Sequence, residues 1–123
     1  MVKFKTSLLS NLDKSKILGI RAGSEHRFIG IWVVVVAGRV FVRSWNDKVT
    51  GWYRAFCEDS QGSIRIDERE VAVRAKKVRG ERLLDSIDNA YAQKYNTKAN
   101  LKYVRGFSKK SRRMTTLEFI PVS

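Results

Sequence analysis

Arg27-Phe-Ile-Gly-Ile-Trp-Val-Val-Val-Val-Ala-Gly-Arg-Val-Phe-Val-Arg-Ser-Trp45 is the stretch that decides the fold. From Ile29 to Val36 it is β-branched and nearly uninterrupted. Such a run is too continuous for a half-exposed strand, so the reading is a strand covered on both faces. Ala37-Gly38 supplies a tight turn, and Arg39 to Trp45 returns as the second arm of a hairpin. Arg43, Ser44 and Trp45 fall where that arm ends, and after Asn46 to Gly51 the chain continues as Trp52-Tyr53-Arg54. A buried sheet that delivers a cation, a hydroxyl and an indole to its rim suits something flat and negatively charged.

On either side of the hairpin the pattern is mixed. Leu8, Leu9, Leu12 and Leu18 fall near one helical face, which predicts a helix from about Ser7 to Leu18. Gly19 to Gly23 reads as a short strand or a turn. Val49 to Glu58 reads as a short helix with Trp52, Ala55 and Phe56 inward. Gly62 to Asp67 and Glu70 to Ala75 alternate as strands, with a turn at Asp67-Glu68. Leu83, Leu84, Ile87, Tyr91 and Tyr95 recur at helical spacing, so Glu81 to Tyr95 is a helix. Thr115 to Val122 alternates again, and Pro121 marks its end. The fold class expected is α+β: a small, mainly antiparallel split β-barrel of about six strands with helices covering it. Nothing in the composition divides residues 1–123, so one domain is expected. Ile64, Ile66 and the edge strands need cover, which a homodimer would supply.

Charge bounds the partners. The 123 residues carry 25 Lys and Arg against 12 acids, a net charge of +13, with 43% hydrophobic and 11% aromatic residues. The apolar content favours a folded chain, and the cationic surplus favours phosphate-bearing partners: nucleic acid, anionic lipid or a phosphorylated small molecule. Cys57 is the single cysteine, which fits a reducing compartment. Leu8-Leu9 passes at once into polar Ser10-Asn11, unlike a leader's apolar core. The longest apolar run is about ten residues, half the ~20 of a spanning helix. A soluble cytoplasmic protein without membrane insertion is expected.

Several chemistries lack their residues. There is no Gly-rich phosphate loop of either usual kind, against nucleotide hydrolysis and a Rossmann site. His26 and Cys57 stand alone, so a His/Cys metal centre is not expected. His26 reads as a structural residue at the start of the buried strand. Cys57, between Phe56 and Glu58, reads as structural too. If chemistry occurs, a bound cofactor must carry it. The segment from Asn96 to Arg113 is of a different kind, because it holds Lys98, Lys102, Arg105, Lys109, Lys110, Arg112 and Arg113 but no acid, with Tyr103 and Phe107 interleaved. It reads as a solvated loop, as an electropositive flap over a phosphate, or as a nucleic-acid-binding surface. All three stay open at this level.

The segments Arg21-Ala-Gly23, Glu25 to Val34, Val42-Arg-Ser-Trp45, Gly51-Trp-Tyr-Arg54, Ile87-Asp88, Ala90-Tyr91, Lys94-Tyr95 and Thr115-Thr-Leu117 occur in this order. On them the chain resembles a bacterial family of small proteins known as a domain of unknown function. More distantly, its layout is similar to the split barrels of the pyridoxamine phosphate oxidase type and of the deazaflavin-dependent nitroreductases. That similarity implies a dimer with a flavin or deazaflavin in a cleft at the barrel edge. It places Arg43, Ser44 and Trp45 where the second hairpin strand approaches the cofactor, and Trp52 and Tyr53 at the following aromatic pair. The chain departs from the nitroreductase pattern before the first barrel strand. Arg21-Ala-Gly-Ser-Glu-His-Arg27 replaces the Gly-Arg-Lys-Ser/Thr-Gly segment, which puts a phosphate site there in doubt. Arg27 and the Arg112-Arg113 pair could take its place.

Three functions are therefore carried forward. The first is an FMN- or deazaflavin-binding protein and reductase without a metal. In it Arg27, Arg43, Arg112 and Arg113 hold anionic groups, Ser44 donates a hydrogen bond, Trp45 or Trp52 walls the ring, and Tyr53 stands beside them. The second is a nucleic-acid-binding module using residues 96–113. The third is a non-enzymatic partner-binding protein. Trp52 also has a plainer reading, as a core aromatic at the start of a covering helix.

Overall fold

The run that reads as one buried strand is two strands. In the computed structural model, which describes residues 3–45 and 51–122, Ile29–Ile31 (β2) pairs antiparallel with Leu18–Ala22 (β1), Ile29 facing Ile20 and Ile31 facing Leu18. Val34–Val36 (β3) pairs instead with Arg39–Arg43 (β4), Val34 opposite Phe41 and Val36 opposite Arg39. Trp32 and Val33 lie between, where the chain changes partners. The expectation of cover on both faces fails for the first half, since Ile29 is 40% exposed. It holds at Val33 and Val34, which are buried.

The remaining strands are Gln61–Ile66 (β5), Arg69–Lys77 (β6) and Thr116–Pro121 (β7). Every pairing is antiparallel, and the seven-stranded sheet has the order β2-β1-β5-β6-β7-β4-β3. Its two edges are thus β2 and β3, consecutive in the chain. Three Cα–Cα steps separate Ile31 from Val34, a span of at most about 11 Å. The sheet must therefore curl until its edges nearly meet. The result is the expected split half-barrel, with seven strands because the long run is broken.

The gap leaves the backbone of Val33 without a strand partner, and two successive residues of the helix Glu81–Lys94 (α3) and its end supply one. Val33 N–H donates to the Tyr95 hydroxyl (3.0 Å), which itself donates to Lys16 O (2.6 Å). Lys94 Nζ donates to Val33 O (2.7 Å) and to Leu12 O (3.0 Å) at the end of Thr6–Lys14 (α1). Buried backbone groups must find partners somewhere, and here side chains close what the sheet leaves open. Burial lowers Lys94 to about 8 and raises the Tyr95 phenol to about 12.

Alternation along β4 sorts the core into two clusters. Val40 and Val42 join Leu8, Leu12, Ile20, Ile64, Phe119 and the helix Trp52–Glu58 (α2). Phe41 joins Val34, Ile87, Tyr91 and Phe107 beneath α3 and the helix Leu101–Phe107 (α4). Ala37 and Gly38 both have positive φ (52° and 74°), the mirror-image turn that a two-residue hairpin uses. Asp67 and Glu68 make the same turn with φ of 48° and 68°.

Some expectations change. The first helix ends at Lys14, and Leu18 already belongs to β1. Residues 96–113 are not a loop: they contain α4 and the short helix Lys110–Arg113 (α5). The helical start expected at Val49-Thr50 lies outside the described residues. Ile64 and Ile66 are buried within the chain, because β5 is an inner strand, so they give no reason for a dimer. Cys57 and His26 are exposed, not packed into the core. Among the described residues no helix is long and apolar enough to cross a membrane, and no cluster of His, Cys, Asp and Glu could hold a metal ion.

Candidate ligand cleft

The break between β2 and β3 opens a cleft of about 350 Å³ lined by Ile31, Trp32, Arg43, Trp45, Trp52, Asn100, Tyr103 and Phe107. They come from four different steps of the fold. The edge-switch supplies Ile31 and Trp32, the end of β4 supplies Arg43 and Trp45, and the start of α2 supplies Trp52. The α4 segment supplies Asn100, Tyr103 and Phe107, the last two one helical turn apart and so on one face.

The aromatic rings are braced by their neighbours. Trp32 stacks on Tyr95 with centroids 4.1 Å apart and planes within 8°. The Arg112 guanidinium lies 3.6 Å from the Trp45 ring centroid and donates from Nε to Trp45 O (2.7 Å). Tyr103 and Phe107 meet both indoles edge-on at 5.5–6.3 Å. Gly106 makes this packing possible: a Cβ there would stand 2.7 Å from Trp45 Cζ3 and 3.0 Å from Arg112 Nη1. Trp45 and Tyr103, 39% and 42% exposed, form the mouth.

Arg43 forms the floor, with its side chain 0% exposed. Nε donates to Thr116 Oγ1 (2.8 Å), and Nη1 donates to Asp88 Oδ1 (2.5 Å) and to Phe107 O (2.8 Å). Nη2 is buried with no hydrogen-bond partner among the described residues. Below it lies the Tyr91 ring, 5.7 Å from the guanidinium, whose phenol burial pushes well above its ordinary value. Asp88 also meets Arg113 Nε (3.2 Å), and Arg113 reaches Glu81 (3.2 Å) and Asp85 (2.7 Å). The floor cation is thus held by a ladder of alternating charges along α3.

The residues expected at a site fall in different places. Arg43, Trp45 and Trp52 meet in the cleft. Arg112 lies against the Trp45 ring without lining the cleft, and Arg113 is linked to Arg43 through Asp88. Ser44 is buried, its N–H donating to Thr115 Oγ1 (3.0 Å). Tyr53 is buried with its hydroxyl 3.4 Å from Met114 O. Neither lines the cleft. Arg27 is exposed in the segment before β2 and does not line it either. Sequence reasoning passed over Ile31, Trp32 and Asn100. Tyr103 and Phe107 were visible only as aromatics among charges, although their i, i+4 spacing was a helical signal.

No curated protein matches the chain in sequence. Among solved structures, a conserved hypothetical protein from Mycobacterium tuberculosis, Rv2991, shares 12% identity at a TM-score of 0.61, over 99% of this chain and 81% of that one. A FAD-binding protein from Mesorhizobium loti, mll6688, shares 10% identity at a TM-score of 0.52, over 96% and 88%. At such identities the likeness is one of fold. Residues 9–119 match the family described as an uncharacterized protein conserved in bacteria, DUF2255. The chain belongs to that family.

Proposed function

We propose that the cleft binds the ring of a flavin or deazaflavin, within one domain formed by residues 1–123. The observation that carries this reading is the Arg43 Nη2 group, a buried charged donor without an acceptor at the floor of an aromatic cleft. Leaving such a donor unpaired costs about 1–3 kcal/mol, and more for a charged group. A flat ring with carbonyl oxygens on one edge relieves that cost and stacks on indoles at the same time. The residues present fit such a ring, and the fold similarity to a FAD-binding protein supports the choice. A bound flavin supplies reversible hydride transfer. The described cleft lining contains no carboxylate, imidazole, thiol or amine, so a reductase here would rely on the protein for position and charge.

The nucleic-acid reading has weaker support. Arg113 is committed to three acids of α3, Phe107 is buried, and Tyr103 turns to the cleft. Base-stacking surfaces line up several exposed aromatics and cations along a strand, and here that pairing is confined to Lys102 on Tyr103 and Arg112 on Trp45. The test is calorimetric titration of the purified protein with FMN, riboflavin and a deazaflavin, with its absorption spectrum as isolated. Micromolar or tighter binding with quenching of tryptophan fluorescence is expected. Absence of heat with all of them, and no flavin absorbance, refutes the reading.

A further inference from the structure

Resting on that reading, we infer the direction in which the ligand enters: the ring's carbonyl edge meets Arg43 at the floor, and the anionic tail stays at the mouth beside Lys102 and Arg112. Arg43 is the wrong group for a phosphate. Its charge is already matched by Asp88 at 2.5 Å, and only one nitrogen, Nη2, lacks a partner among the described residues. A phosphate there would bring a dianion beside a carboxylate in a poorly solvated place. A neutral carbonyl oxygen is the acceptor that Nη2 takes without displacing Asp88, Thr116 or the Phe107 carbonyl.

The mouth has the opposite character. Lys102 Nζ lies 5.1 Å from the Tyr103 ring centroid and Arg112 covers the Trp45 ring, so a cation sits on each exposed aromatic of the rim. No carboxylate pairs with either among the described residues, and residues 96–113 contain no acid at all. Size points the same way. A cleft of about 350 Å³ is at the small end of ligand pockets, ~300–1,000 Å³. It has room for a ring and leaves a ribityl phosphate outside.

Four probes test the orientation by titration at low salt: lumiflavin (ring without a tail), riboflavin, FMN, and phenazine (three flat rings without carbonyls). Lumiflavin is expected to bind roughly 10-fold or more tighter than phenazine, the value of one hydrogen bond to a charged group. FMN is expected to exceed riboflavin by roughly 5-fold. That preference should vanish near 0.5 M salt, where exposed charges are screened within about 4 Å. It should fall, with Arg112 still in place, in Lys102→Ala at low salt, an exposed helical position where alanine keeps the fold. Equal affinity for phenazine and lumiflavin overturns the floor assignment. A preference for FMN that survives Lys102→Ala and high salt overturns the mouth assignment. Either result leaves ring binding standing, whereas failure of all four to bind overturns the flavin reading and the orientation with it.

Discussion

Arg39 and Arg43 stand four residues apart on the same face of the same strand, and their guanidiniums are treated in opposite ways. Arg39 is at the solvent edge, its side chain 46% exposed, and forks onto both oxygens of Glu118 at 2.9 and 2.8 Å. Arg43 is fully enclosed, spreads three hydrogen bonds over Nε and Nη1, and leaves Nη2 unpartnered. The first pair is complete and closes a stretch of β4 against β7. The second is held firmly yet left one acceptor short, on a residue that borders the cleft. A buried donor that the fold has not satisfied is unfavourable on its own, so its persistence at a cleft floor is what gives the cleft its functional reading.

The comparison breaks if the two arginines behave alike. Arg43→Met should cost about 3 kcal/mol of stability, because Asp88 loses its nearest partner while keeping Arg113. It should also weaken lumiflavin binding roughly 10- to 100-fold. Arg39→Met should cost about 1–2 kcal/mol through the mostly buried Glu118 and leave ligand affinity unchanged. Urea unfolding and titration on the same samples read both effects, and equal loss of ligand by the two variants would remove the distinction. Gly106→Ala comes next: the added methyl pushes Trp45 and Arg112 from the rim. A stability loss of about 1–3 kcal/mol is expected, with ring affinity reduced although Arg43 is intact.

A third cation sharpens the contrast. Lys94 is half-buried and satisfied by backbone carbonyls, and burial lowers it from 10.5 to about 8. Between these values the unfolded chain binds more protons than the folded one, so stability rises with pH from about 8 upward. The raised Tyr95 phenol, at about 12, reverses the trend once unfolded tyrosine ionises near pH ~10. Thermal melts between pH 8 and 10 should therefore show a gain on the order of 1 kcal/mol, solvent screening of the half-buried amine holding it below the full shift. Lys94→Met should flatten that slope without touching ring affinity. The smallest effect is a control distant from all three cations. Glu68, held at φ 68° in the β5–β6 turn, should yield about 0.5–1 kcal/mol of extra stability when replaced by glycine.

Much of the frame was legible along the chain. The Ala37-Gly38 and Asp67-Glu68 turns, the helix from Glu81 and the strand ending at Pro121 all rest on local preference, which acts over a few residues wherever they occur. The break at Trp32-Val33 was not legible. A β-branched run looks the same whether it keeps one partner or exchanges β1 for β4 halfway, and only the closing sheet forces the exchange. Residues 96–113 misled for a related reason: their charges describe the outer face of two helices, while Phe107 and Tyr103 describe the inner one.

The candidate site divides along the same line. Arg43, Trp45 and Trp52 could be picked out because they lie just after a hairpin end, close in sequence to one another. Ser44 and Tyr53 share that neighbourhood but turn into the core, since alternation and helical phase send adjacent side chains apart. By itself the sequence determined an antiparallel α+β domain, a cationic surface and an aromatic rim, because these follow from composition, periodicity and turn chemistry. Only the tertiary structure decided that the barrel splits at Val33, that Trp32 and the α4 aromatics complete the cleft, and that Arg43 keeps one unanswered donor. Those features depend on which distant groups arrive within about 3 Å of each other, and that is set by the curl of the sheet and by no short stretch of chain.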